Sequence, residues 1–328
     1  MNISVVIVSF NSEKFLGKNL QSLVQQTVKF KQIVVVDNHS ADDSLQVIEA
    51  CKNDVDIIKL SYNSGYAKAA NIGIKNTDSH LVLVANSDII LDENFNATVL
   101  GKFQENKDID MLSPLILRFD RKTVDSAGQA CSLALYPSEI GFNRDIHDIT
   151  IDERSVFSVC GAATVFSRQA LERLKINDEY YDEDFFIFWE DFDIGWRAQL
   201  LGLKTLFCPK AVVYHYRSGT LKQNFLSRFS LALARPAAIK YHLVKNRCLT
   251  LIKNFRFKKN LKSIPFIFFM DIIWVSLLTF ASPKIIIPLM KSGKYIKKAF
   301  KKRKQVRERI MHSGADSPEN QQPKDPNE

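Results

Sequence analysis

Residues 3–38 read ISVVIVSFNSEKFLGKNLQSLVQQTVKFKQIVVVDN. Two β-branched runs, Ile3–Phe10 and Gln32–Asp37, are apolar almost throughout. A strand with one wet face would alternate; a continuous run suits a strand covered on both faces. The stretch between them, Glu13–Gln26, reads as a helix. Strand, helix, strand at this spacing predicts a βαβ unit with parallel strands. The pattern repeats through strands Asp56–Leu60 and His80–Ala85 and helices Asp42–Lys52 and Tyr66–Asn76. The expected fold class is therefore α/β, a Rossmann-like, mostly parallel sheet flanked by helices.

Downstream the signals are less regular. A helix is expected at Glu93–Asn106, then loops and short strands over Leu115–Thr150. Ser155–Ser167 reads as strand and turn around Gly161, followed by a helix at Arg168–Leu174. An aromatic, acidic segment runs from Asp178 to Arg197. Leu203–Tyr216 reads as a final strand pair around Pro209.

The chain has 328 residues and a net charge of +9, unevenly spread. Residues 1–234 carry 24 Lys/Arg against 30 Asp/Glu, whereas residues 235–311 carry 20 Lys/Arg against two acids. An acidic body joined to a basic segment implies different partners for the two. The expected organisation is a sheet domain over 1–220, a basic helical region over 221–311 and a disordered polar tail over 312–328. The five cysteines are scattered without a CxxC pair, which suggests reduced thiols in a cytosolic compartment. The apolar opening run has no basic residues before it and no cleavage site after it, so it is expected to be a strand, not a signal peptide.

In an open parallel sheet, ligands bind beyond the carboxyl ends of the strands. Ser9 and Asn11 follow the first expected strand. Asp37, Asn38 and Ser40 follow the second, Asn63 and Gly65 the third, and Asn86, Ser87 and Asp88 the fourth. Small polar residues after strands are ordinary turn formers and caps. Four consecutive strand ends of this kind argue more strongly for one polar crevice. No G-x-G-x-x-G follows the first strand and no Walker loop is present, which argues against a dehydrogenase and a P-loop enzyme. A diphosphate in the crevice would need another counter-charge. Asp88 holding Mg2+ or Mn2+ would supply it, with phosphate and water completing the shell.

These residues match a known pattern. Val5-Val6-Ile7-Val8-Ser9-Phe10-Asn11, Val36-Asp37-Asn38-His39-Ser40-Ala41-Asp42, Asn63-Ser64-Gly65-Tyr66 with Asn71, and Ala85-Asn86-Ser87-Asp88 appear in order. Cys160-Gly161-Ala162, Tyr181-Asp182-Glu183-Asp184-Phe185-Phe186 and Trp189-Glu190-Asp191-Phe192-Asp193 follow. The series resembles family 2 glycosyltransferases of the GT-A fold, in particular their rhamnosyltransferase-like branch, and covers roughly residues 1–220. The resemblance implies that Asp37 contacts the base or ribose of a nucleotide-sugar donor. It places Ser9, Asn11 and Asn71 in the donor pocket, with Asn38, Asn63 and Asn86 among the donor-binding residues. Asp88 would ligate the metal and His215 approach it or the diphosphate. The usual Asp-x-Asp is Asn86-Ser87-Asp88 in this chain, so the metal would rest on the second acid.

Inverting transfer needs a carboxylate to deprotonate the acceptor hydroxyl. By resemblance Asp191 is the expected base, with Glu190 as fallback. On a helix, Asp193 and Arg197 can pair at i, i+4, leaving Asp191 on another face. Trp189 and Asp193 are the expected acceptor contacts, Trp189 as a wall for a sugar or lipid headgroup.

The run Ile264–Phe280 is apolar apart from Asp271, and Lys291–Arg309 reads as a lysine-rich helix. Seventeen residues reach about 26 Å, just short of a bilayer core. With so many basic residues beside it, a monotopic anchor on an anionic membrane surface is expected, with a single spanning helix as the alternative. Nucleic acid would leave the apolar run without a purpose. The expected protein is an inverting, metal-dependent glycosyltransferase, peripheral or monotopic on the cytoplasmic face of the membrane. It would move a sugar, rhamnose by similarity alone, from a dTDP- or UDP-sugar to a lipid-linked or surface-polysaccharide acceptor. The competing readings are a catalytically silent sugar-nucleotide-binding scaffold subunit and a nucleotidyltransferase. The phosphate loop that the latter requires is missing.

Overall fold

The structure is a computed structural model in which residues 1–217 and 233–313 are described. The opening unit forms as its pattern predicts. Strand β1 (Ile3–Ser9) has all seven residues buried and pairs in parallel with β2 (Gln32–Asp37) across helix α1 (Glu13–Val24). Helix α2 (Ser44–Ala50) leads to β3 (Asp56–Lys59), and α3 (Tyr66–Lys75) to β4 (Leu81–Asn86), which pairs in parallel with the other edge of β1. Side chains alternate along β1. Val6 and Val8 enter the core under α3, while Ile3, Val5 and Ile7 enter the core under α1. Helix α3 lies very close to the sheet: a Cβ on Gly73 would sit 2.2 Å from Val6 Cγ1.

Beyond β4 the sheet becomes mixed. After β5 (Ile89–Leu91) and α4 (Phe95–Glu105) comes β6 (Met111–Arg118). Short strands β7 (Val124–Ser126), β8 (Gln129–Cys131), β9 (Pro137–Glu139) and β10 (Arg154–Ser155) follow. Strand β11 (Ala163–Ser167) runs antiparallel between β4 and β6, so the parallel half ends at β4. Helices α5 (Arg168–Leu174) and α6 (Glu190–Leu200) precede β12 (Thr205–His215), which lies parallel to β6.

Two features depart from the sequence reading. The segment expected to hold only loops and short strands begins inside β6, of whose eight residues seven are buried. The expected strand pair at 203–216 is one strand, with its register against β6 shifting between Cys208 and Val212. Pro209 sits in that irregularity, where its missing N–H breaks the ladder without ending the strand.

The basic region is helical and folds back onto the sheet domain. Helix α7 (Ala237–Asn254) packs Leu249 into the core under α3, and α9 (Gly293–Ser313) adds Ala299, Val306 and Ile310. Between them lies the apolar helix α8 (Ile264–Ala281). Among the described residues, Phe257–Ala281 is the one helical stretch long and apolar enough to cross a membrane. Most of the expected tail, from residue 314 onward, lies outside the described residues.

Candidate active site

The polar strand ends converge as expected. Asn11 accepts from the Ala41 amide at 2.8 Å, and its own N–H donates to Ser40 Oγ at 3.1 Å, joining the ends of β1 and β2. Asn38 donates to Asn63 Oδ1 at 3.0 Å and accepts from the Ser64 amide at 2.8 Å, joining β2 to β3. Asp37 and Ser9 are buried between these brackets. Asp37 Oδ1 and Ser9 Oγ have no hydrogen-bond partner among the described residues. Leaving such atoms unpaired costs ~1–3 kcal/mol each, so a bound polar ligand would relieve them. Asn86 ends β4, where its N–H donates to Ala162 O at 3.0 Å.

Asn71 goes elsewhere. Its amide donates to Tyr181 O at 2.8 Å and to Glu183, and it accepts from the amides of Tyr180 and Tyr181. With its capacity spent and its surface 1% exposed, it fastens α3 to the aromatic segment and has nothing left for a nucleotide.

Asp88 is partly exposed, and one of its carboxylate oxygens lies 3.3 Å from His215 Nε2. Asp125, almost wholly buried, holds the other ring nitrogen at 2.7 Å and also pairs with Arg217. Burial disfavours charge on His215, but the Asp125 and Asp88 carboxylates outweigh it and push its pKa up to about 9. A divalent cation that displaced the Nε2 proton would find a histidine oriented from behind by a carboxylate and facing a second one, a suitable oxygen–nitrogen donor set. Among the described residues no three Asp, Glu, His or Cys side chains gather to enclose a metal unaided. The pair therefore suits an ion that takes its remaining positions from phosphate and water.

The Trp189–Asp193 segment starts α6 after a strained turn. Phe186, Phe188 and Trp189 all have positive φ, between 68 and 76°. Non-glycine residues hold that conformation only when their surroundings enforce it. Asn246 of α7 does so, donating toward the carbonyls of Phe185, Ile187 and Phe188 at 2.8–3.0 Å. Gly65 closes the other side: a Cβ on it would meet Phe186 O at 2.6 Å.

The turn fixes Asp191 at the wall of a cavity of about 430 Å3. Gly161 N donates to its Oδ2 at 3.0 Å, Gln129 Nε2 to the same oxygen at 3.2 Å, and Phe192 N to Oδ1 at 2.8 Å. Burial raises the pKa of Asp191, against the pull of these three donors. Glu190 beside it is pushed up to about 8 by burial and by the charges of Asp191 and Asp193. Glu139 is raised to about 7, chiefly by burial, and receives Gln129 at 2.8 Å. Trp189 lines the same cavity.

Asp193 does not reach it, which corrects its expected place among the acceptor contacts. It is fully buried, paired with Arg197 at 3.0 Å and Lys253 at 2.9 Å. Arg197 was the foreseeable partner at i+4. Lys253 lies in α7, and no local pattern announces it.

Asp88 and Asp191 are linked through the cavity wall. Arg217 lines the cavity together with Asp191 and pairs with Asp125, which holds His215 against Asp88. The sequence reading missed Asp125, Gln129, Glu139, Arg217 and Asn246. The first three lie in short strands β7–β9, where three residues are too few to show a period.

Residues 4–175, just over half the chain, match the family model described as glycosyl transferase family 2. A poly-beta-1,6-N-acetyl-D-glucosamine synthase of Staphylococcus epidermidis is 22% identical over 216 residues, 65% of this chain and 49% of the relative. The chain thus spans about half the length of this curated relative. Among solved structures, GalNAc-T7 with UDP, GalNAc and Mn2+ superposes with a TM-score of 0.60 at 15% identity, over 96% of this chain and 58% of that one. The mannosyltransferase PcManGT from Pyrobaculum calidifontis with GDP-Man and Mn2+ gives 0.56 at 13% identity, over 96% and 88%. These structures share the GT-A fold with this molecule, and on the match over residues 4–175 the chain belongs to glycosyl transferase family 2.

Proposed function

We propose that this chain is an inverting glycosyltransferase that moves a sugar from a nucleoside diphosphate donor to an acceptor hydroxyl held at Asp191. The observation that carries the reading is the Asp191 carboxylate. It is gripped by three donors at a cavity wall that Arg217 ties to Asp88 and His215. Asp37, Ser9, Asn11, Asn38, Asn63 and Asn86 border the donor. The unpaired Asp37 Oδ1 is ready to accept a ribose hydroxyl or base N–H. Asp88 and His215 would hold Mg2+ or Mn2+, which when bound offsets charge on the diphosphate; two structural neighbours were solved with Mn2+.

In the transfer, the acceptor oxygen forms a bond to the anomeric carbon as the bond from that carbon to the diphosphate oxygen breaks. The electron pair leaves with the nucleoside diphosphate and the acceptor proton passes to Asp191. Attack opposite the leaving group inverts the centre. The raised pKa of Asp191 makes it a better base than an ordinary aspartate. Glu190 beside it is pushed up more strongly, to about 8, by burial and by the neighbouring Asp191 and Asp193, so the pair loses its first proton more readily at Asp191 than at Glu190 on the reading proposed.

The acceptor is read as a lipid-linked saccharide at the cytoplasmic face. Support comes from α8, whose Phe266, Phe268, Phe269, Ile272 and Phe280 are exposed, and from the lysines of α9. Asp271 does not spoil this surface, because it turns inward to Arg247 at 3.0 Å and Tyr136 at 2.6 Å. A dTDP- or UDP-sugar remains the proposed donor, and rhamnose the proposed sugar by resemblance.

The test is a donor screen. Purified protein with Mn2+ or Mg2+ is offered a panel of nucleotide sugars, and nucleotide release is measured beside Asp191→Asn. Release from one donor that disappears in the variant is expected. Equal release from both proteins would remove Asp191 from the reaction.

A further inference from the structure

The cavity at Asp191 has an unusual wall. Trp274, Val275 and Leu278 of α8 line it, together with Trp189 and Phe188. The same helix carries Phe268, Phe269 and Ile272 to the exterior. One helix thus separates an apolar outer surface from the space beside the proposed base. It is locked in place: Arg247 pairs with Asp271, donates to the carbonyls of Ala134 and Leu135, and stacks 4.0 Å over Tyr136.

The wall holds three arginines beside the carboxylates Asp191 and Glu139, and the arginines differ in what they already bind. Arg247 is spent on Asp271 and Arg217 on Asp125. Arg235 also lines the cavity, its guanidinium 4.9 Å over the Phe188 ring, and no carboxylate pairs with it among the described residues. An exposed cation beside an aromatic face, in a cavity whose α8 wall is apolar, is complementary to an anion attached to an apolar chain.

We propose that the α8-walled cavity is the acceptor site for a phosphate-bearing lipid, with the phosphate at Arg235 and the first part of the chain along Trp274, Val275 and Leu278. This rests on the glycosyltransferase reading and specifies its acceptor as anionic and amphiphilic. The lipid chain leaves past Val275, which is both cavity-lining and partly exposed, toward the outer apolar face of α8. A hydroxyl on the head of such a molecule is then carried to Asp191 with no need to leave the membrane surface.

The probes are farnesyl phosphate, farnesol and inorganic phosphate, titrated into the full-length protein below micellar concentrations. Tryptophan emission reports on binding, because two of the three tryptophans, Trp189 and Trp274, line the cavity. Farnesyl phosphate is expected to saturate the signal at least about tenfold more tightly than farnesol, the effect of one charge-assisted contact. Inorganic phosphate is expected not to displace it at equal concentration. Arg235→Gln should bring farnesyl phosphate down to the affinity of farnesol, with Arg235→Lys intermediate. Val275→Asp should weaken both lipids.

Equal affinity for farnesyl phosphate and farnesol, or no change in Arg235→Gln, overturns the proposal. Displacement by inorganic phosphate as effectively as by farnesyl phosphate also overturns it, since the lipid chain would then contribute nothing. The wild-type donor screen separates the two readings. Saturable farnesyl phosphate binding without nucleotide release from any donor would sink the enzyme reading and leave the lipid site standing. Nucleotide release without lipid discrimination would do the reverse.

Discussion

The proposed donor side and the proposed acceptor side of this molecule are built in opposite ways. The donor side is a row of consecutive strand ends, β1 to β4, each supplying its polar group within a few residues of a buried apolar run. The acceptor side is assembled from distant pieces. Gln129 of β8, Gly161 before β11 and Asp191 of α6 meet over a strained turn, which Asn246 of α7 pins from behind. Proximity in sequence builds the first; buried hydrogen bonds and ion pairs between remote segments build the second. Damage to the first should therefore appear in donor affinity, and damage to the second in turnover or in stability.

The sharpest way to break this division is Asp191→Asn. It keeps the shape and most of the hydrogen bonding but cannot take a proton. Turnover should fall by ~10²–10⁴-fold with donor KM nearly unchanged. The acid limb of the wild-type rate is tied to the same group. As the proposed base, Asp191 would act only when deprotonated, and burial raises its pKa above the ordinary 3.8. Activity should accordingly be lost, as pH falls, at a higher pH than an ordinary aspartate would give. A donor KM that rises in proportion to the loss of turnover would place Asp191 on the donor side instead.

Lys302→Ala tests the remote assembly itself. Lys302 is almost fully buried and reaches Asp182 at 2.5 Å and Asp184 and Glu179 at 2.9 Å. Removing one member of a buried ionic cluster strands the others, at a cost of roughly 3–5 kcal/mol. A fall in melting temperature, with donor affinity retained in the folded fraction, is the expected result. The cluster has a pH signature. Lys253 and Lys302 outweigh burial and hold the Asp182 pKa below its ordinary 3.8. Its stabilisation is present above that pH and lost as pH falls through the lowered value. Lys302→Ala should weaken that acid-side loss, as seen in thermal melts from pH 5 down to 2.

Asp125→Asn returns to the donor side. The variant keeps the size of the side chain but gives up the charge that orients His215 against Asp88. Loss of such a carboxylate behind a ligating histidine typically costs ~10–100-fold in metal affinity. Mn2+ activation curves should shift to higher concentration by that factor while turnover at saturating Mn2+ changes less. An unshifted curve would detach His215 from the ion.

The same contrast sets what could be read from the chain beforehand. β1 to β4 and α1 to α3 were legible because continuous apolar runs and helical spacing are local. The place of Asp88 followed from the rule about strand ends. Asp125 and Glu139 were not legible, because what gives them a role is the tertiary position of β6 and β12. Asp193 misled for the same reason: helical spacing offered Arg197, but Lys253 and Asn254 complete its burial from sixty residues away. Likewise Asp271 interrupts an apolar run for a reason that lies far off in the chain, since Arg247 and Tyr136 face it.

The smallest effect separates two neighbours in α9. Lys302 faces the acidic cluster, whereas Lys301 is exposed, beside exposed Phe300 and near Lys297 and Lys304. Composition alone counts both as membrane-seeking charge. The structure leaves only the outward lysines available to lipid, each worth about 1 kcal/mol near an anionic surface. Lys301→Gln should therefore weaken binding to phosphatidylserine-containing vesicles by about fivefold, an effect that shrinks as salt is raised, while the melting temperature stays put. Lys302→Ala should do the opposite, lowering stability without a comparable change in vesicle affinity of the folded protein. Identical vesicle affinities for Lys301→Gln and wild type at low salt would mean that α9 does not meet the membrane through this face.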